Sequence, residues 1–134
     1  MLDPHGALIY TMVIVTGAEA NLPPTEVAII GDIVGHLPVF RNFDRGKLGG
    51  HLNACASLLL RDDGLNATLE AIKTALPANL RETAYAIACD LVAADGEATQ
   101  EELQLLELMR ETFQIDRLIA AAIERGTRAR FQTV

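Results

Sequence analysis

The chain has 134 residues, half of them apolar and 4% aromatic, with 18 acidic against 11 basic side chains and a formal net charge of −7. That length fits one domain, and that apolar fraction can form a core without disulfides or metal. The scarcity of aromatics and the weight of Ala, Leu and Ile argue against a β-sandwich and for an all-α fold of packed helices, while the acidity argues against nucleic acid as a ligand.

The first helix is expected over about 4–16, with Asp3 as N-cap and Pro4 at the first helical position, where its missing N–H costs nothing. It is apolar on nearly every side, which places it at the centre. Its most apolar run, Ala7 to Ala18, spans about 12 residues against the ~20 needed to cross a membrane. With no basic region before it, the segment reads as a core helix of a cytoplasmic protein. After a turn over 17–22, Pro23-Pro24 restart the chain, and a second helix carries Val27, Ile30, Ile33, Val34 and Leu37 until Pro38.

From Asp44, a third helix is predicted to about Arg61, with Leu48, Leu52, Cys55 and Leu59 on one face. Gly49-Gly50 costs about 1 kcal/mol per glycine in a helix interior, so either the helix begins after the pair or a neighbour approaches closely there. Asp62-Asp63-Gly64 makes a turn, a fourth helix covers about 65–76, and Pro77 closes it. A fifth helix over about 79–94 is apolar from Ala84 onward except for Asp90. The turn Asp95-Gly96-Glu97 follows, and Thr99 with Glu102 three residues on forms a capping box for a sixth helix reaching about Phe113. A seventh is expected over about 116–126, ending at Gly126. Beyond Ile123, Arg125, Arg128 and Arg130 against Glu124 read as a solvated extension. Cys55 and Cys89 stand singly in apolar surroundings and read as small core residues in a reducing compartment.

The chain repeats itself at an interval of 76 positions: Ala18-Glu19-Ala20-Asn21 before Glu26-Val27 reappears as Ala94-Asp95-Gly96-Glu97 before Glu102-Leu103. In that register Val27, Ile29, Ile30, Ile33 and Leu37 fall opposite Leu103, Leu105, Leu106, Met109 and Phe113. Two pseudo-symmetric helix–acidic turn–helix units follow, at about 4–37 and 79–113, joined by helices over about 44–76. Any function carried by the repeat belongs to its acidic turns. The second unit is also the most acidic part of the chain. From Asp90 to Glu111, seven carboxylates stand against Arg110, a net of −6, a field that attracts cations or a basic surface.

The run from Leu80 through Ala94-Asp95-Gly96-Glu97 to Glu102-Leu103 resembles the C-terminal repeat of the TerB tellurite-resistance family, and the runs Leu8 to Val15 and Leu37 to Arg41 resemble its N-terminal half. The likeness covers essentially the whole chain. It implies a compact, all-helical, cytoplasmic bacterial domain without established enzymatic activity, working in a stress response beside membrane proteins of the same resistance cluster. The family's turn pattern is Asp-Gly, kept at Asp95-Gly96; the first unit departs from it with Glu19-Ala20-Asn21, and alanine enters a left-handed turn less readily than glycine.

Carboxylates of both turns form the candidate metal site: Asp95, Glu97 and Glu102 from the second, facing Glu19 and Glu26 from the first. Ca²⁺ or Mg²⁺ would suit such an all-oxygen set. The alternative is structural, with Asp95-Gly96 making a tight turn and Glu26 and Glu102 stabilising helix N-termini. An EF-hand does not fit, since counting from Asp95 puts Leu106 at position twelve, and counting from Asp62 puts Lys73 there. Asp90, on an otherwise apolar helix, needs either a structural partner such as an arginine or a role in a ligand or proton site. His51 and Cys55, four apart, lack a third ligand. No P-loop, GxGxxG or local triad is present.

Three functions stay open on these residues. The chain is a non-enzymatic divalent-cation-binding or protein-interaction module, a purely structural domain docking its acidic face on a basic partner, or, more remotely, an enzyme using Asp90 or Glu102 as acid or base. Direct capture of tellurite is physically poor, because an oxyanion would meet a negative field.

Overall fold

A helix with almost no polar side must be covered all round, and α1 (Pro4–Val15) is: every residue from Gly6 to Val15 is buried. The computed structural model describes residues 1–17, 23–94 and 96–134. Asp3 Oδ1 accepts the Gly6 N–H at 2.8 Å and Pro4 opens the helix, as the sequence predicts. The Thr11 hydroxyl, fully buried, donates back to the Ala7 carbonyl at 2.9 Å, so no polar atom of it is stranded.

Around α1 stand α2 (Pro24–His36), α3 (Leu48–Leu59), α4 (Gly64–Ala75), α5 (Ala78–Ala94), α6 (Gln100–Thr112) and α7 (Arg117–Arg130). These are seven α-helices, and no strand occurs among the described residues. α1 packs on α3, α4 and α5, and α5 in turn carries α6 and α7, so the two most buried helices lie against each other and share one hydrophobic core. Among the described residues no helix is long and apolar enough to cross a membrane.

Two boundaries and one buried stripe differ from the sequence expectation. Asp44 caps a 3-10 turn, Arg45–Lys47, accepting from the Gly46 N–H at 2.9 Å, and α3 begins at Leu48. Gly49 and Gly50 therefore sit in its first turn, exposed, with open space where a Cβ would stand, so neither a later start nor a close helix approach accounts for them. At the other end, α7 does not stop at Gly126 but continues to Arg130. The Thr127 hydroxyl and the Arg130 guanidinium both bond Asp90 of α5, at 2.7 and 2.6 Å, and those anchors outweigh the ~1 kcal/mol that glycine costs in a helix.

The third difference is the stripe on which α2 rests. Its buried residues are Ile30 and Val34, whereas α6 buries Met109 and ends on buried Phe113. In the 76-residue register Val34 stands opposite Arg110, and Met109 and Phe113 stand opposite Ile33 and Leu37, which are only half-buried. α2 is thus buried deepest at Ile30 and Val34 and α6 at Met109, although Ile33, Leu37 and Leu106 also pack against the core. α2 is held besides by Arg45, whose guanidinium donates to the Gly31 carbonyl at 3.2 Å and lies where a Cβ at Gly35 would come within 3.3 Å of it.

Candidate functional site

Thr99 and Glu102 form the capping box that their spacing predicts. The Glu102 N–H donates to Thr99 Oγ1 at 3.1 Å, and the Thr99 N–H donates to Glu102 Oε1 at 2.9 Å. One Glu102 oxygen is thereby committed to the helix start. Glu26 is also the third residue of its helix, but the residue at the cap is Pro23, which has no N–H to offer, so no reciprocal box exists there. Glu97 is exposed in the second turn beside Gly96, whose φ of +99° lies in the region that favours glycine. Glu19 and Asp95 lie outside the described residues. Among the described residues no group of three or more His, Cys, Asp or Glu side chains is placed to hold a metal ion. The five-carboxylate set is therefore described only at Glu26, Glu97 and Glu102.

Asp90 has a structural partner. Its Oδ1 accepts from Thr127 and Arg130, and Arg130 also donates to Thr127 Oγ1 at 3.2 Å, closing a three-membered polar latch between α5 and α7. One helical turn earlier on α5, the Tyr85 hydroxyl donates to Glu124 Oε2 at 2.6 Å. Burial first, and then this hydrogen bond, push the Tyr85 phenol well above its ordinary value. Neighbouring Cys89 is pushed up to about 12 by burial, and Cys55 likewise to about 12. These shifts keep protons on phenol and thiols at neutral pH, the direction opposite to an activated base or nucleophile. Cys55 directs its Sγ to the Tyr10 carbonyl at 3.9 Å, and the His51 ring packs against Gly6 and Phe43, so the pair four apart serves packing.

The acidic window looks different once α7 is in place. Arg110, 19% exposed, lies between Glu107 at 4.0 Å and Glu111 at 3.6 Å. Beside it opens a pocket of about 350 Å³ whose floor is Tyr85 and whose rim carries Glu107 and Arg110 of α6 with Glu124 and Arg128 of α7. Of the C-terminal arginines, read from sequence as a solvated extension, Arg130 is folded back onto Asp90 of α5 and Arg128 lines the same pocket as Glu107 of α6, while all three stay exposed. Local spacing gave no signal for this, because Asp90 and Arg130 are 40 positions apart. Exposed negative charge remains at Glu97, Glu101, Glu107 and Glu111. A comparison with family models, characterised proteins and solved structures finds no match to the chain.

Proposed function

We propose that this chain is a non-enzymatic, TerB-like domain of a cytoplasmic bacterial stress or tellurite-resistance system, acting as a protein-interaction module that docks on a basic partner surface, such as a membrane protein of the same system. The sequence motifs from Leu80 to Leu103 support the family, and the duplicated unit supports a common origin of its halves. One observation carries the docking role: Glu101, Glu107 and Glu111 project from α6 into solvent, while the carboxylates that fold maintenance needs, Asp90 and Glu102, are engaged elsewhere. An exposed acidic row speeds encounter with a basic surface and loses its effect with salt. Glu107→Lys with Glu111→Lys is expected to cut retention of the partner in a pull-down at low salt while leaving circular dichroism unchanged, since both side chains are mostly exposed. Partner retention equal in wild type and double variant at low and high salt refutes the acidic-face role.

A second reading, Ca²⁺ or Mg²⁺ binding, is favoured by one coincidence of position: Glu26 and Glu102 are each the third residue of a helix that follows an acidic turn. A cation bound by both units would raise the melting temperature by several degrees at a hundred times its Kd, from roughly 2.7 kcal/mol of linkage. Asp95→Asn with Glu102→Gln should erase that rise while glutamine preserves the cap. A wild-type melting temperature indifferent to millimolar Ca²⁺ and Mg²⁺ removes this reading.

A further inference from the structure

Between α2 and α5 runs an open groove of about 300 Å³, walled by Ile29, Ile33 and Leu37 on one side and Ile87 and Leu91 on the other, with Phe131 beyond α7 completing it. The α2 wall is a row at intervals of four residues, and so is the α5 wall; such rows form the ridges into which a further helix packs. The α2 row spans about 12 Å, a little over two helical turns.

Two observations show that this face lacks a cover among the described residues. Ile29 is 42% exposed and Phe131 41% exposed, although both are large and apolar. In the 76-residue register the positions of Ile33 and Leu37 are taken by Met109 and Phe113, which are 0% and 1% exposed. The same pattern is sealed in one unit and open in the other.

Charge decides among occupants. Among the described residues the ionisable groups lining the groove are Asp32 and Asp90, the latter already paired with Arg130, and the whole chain carries −7. Asp32 is largely exposed, with His36 Nδ1 at 3.6 Å as its neighbour on α2, and its carboxylate faces solvent where a Lys or Arg from outside can reach it. We propose that the α2–α5 groove receives a short amphipathic helix of a partner protein, with an apolar stripe seated between Ile33 and Leu91 and Lys or Arg on the flank facing Asp32. This rests on the reading of the domain as an interaction module, and it adds a second recognition surface on α2 to the acidic row of α6.

The test uses the full chain and a fluorescein-labelled 15-residue peptide of Leu, Lys and Ala, with leucines spaced three and four apart, against a peptide of identical composition with the leucines dispersed. Anisotropy at physiological salt should show saturable binding of the patterned peptide and at least tenfold weaker binding of the dispersed one. Ile29→Glu should weaken binding at least tenfold, with circular dichroism confirming the fold. Asp32→Lys, at a side chain 79% exposed, should do so without touching the core. Glu107→Lys with Glu111→Lys should leave it unchanged. Equal binding of both peptides, no saturation up to millimolar concentration, or indifference to Ile29→Glu and Asp32→Lys each overturns the proposal. Loss of binding only in the Glu107/Glu111 variant would overturn the groove while sustaining the acidic-face reading. Sedimentation as a dimer that Ile29→Glu dissociates would assign the groove to a second copy of the chain, and the proposal would fall.

Discussion

Gly64→Ala is expected to lower stability by roughly 3 kcal/mol, read as a drop in the urea midpoint at unchanged slope. Gly64 opens α4 directly after Asp63, whose φ of +58° turns the chain back sharply from α3. A Cβ on Gly64 would stand 2.8 Å from the Leu58 carbonyl oxygen and nearer still to that of Leu59. Both obstacles are backbone at the end of α3, so relief requires moving a helix terminus that the core holds in place. Gly49→Ala and Gly50→Ala provide the opposite sign. Each is an exposed helical position with open space at its Cβ, and alanine there should raise stability by about 0.5–1 kcal/mol by restricting the unfolded chain and favouring the helix. A Gly64→Ala protein as stable as wild type would mean that the α3–α4 turn can relax in a way its contacts do not suggest.

Phe113→Ala should cost about 3–5 kcal/mol, the loss of a fully buried aromatic side chain and the cavity it leaves. Leu37→Ala, at the matching position of the first unit, should cost roughly a third of that, because Leu37 is only half-buried beside the open groove and removes less apolar area from water. Urea unfolding of the two variants measures the contrast directly. Equal losses at the two positions would mean that the groove is already covered, and the asymmetry between α2 and α6 would disappear with it. A helical ligand in the groove should bring the cost of Leu37→Ala upward, since the side chain then gains neighbours that alanine lacks.

Much of this fold is decided within a single helical turn and is legible for that reason. Asp3 with Pro4, and Thr99 with Glu102, mark helix starts because a cap reaches only two or three residues along the chain. The central place of α1 follows from the lack of a polar side between Gly6 and Val15, which leaves no face for water. The fate of Gly126 could not be read in the same way. Its local preference is to end a helix, and it is overruled by Asp90, 37 positions away from the Thr127 hydroxyl and 40 from Arg130.

The charge pattern follows the same division. Along the sequence, Asp90 to Glu111 is a window of −6, but tertiary packing pairs Arg130 of α7 with Asp90 and sets Arg128 in one pocket with Glu107, while exposed carboxylates stand on α6. The candidate site is legible to the extent that Glu26 and Glu102 share a helical position; Glu102 is then tied by its cap, and Glu19 and Asp95 lie outside the described residues. The residue spacing alone makes α2 apolar on a wide stripe, from Val27 through Ile29, Ile30, Ile33 and Val34 to Leu37. That Ile30 and Val34 are buried, that Ile33 and Leu37 meet the core with one side and a groove with the other, and that Ile29 stays exposed comes from packing, because hydrophobicity states how much surface must leave water and the neighbouring helices settle which part of it does.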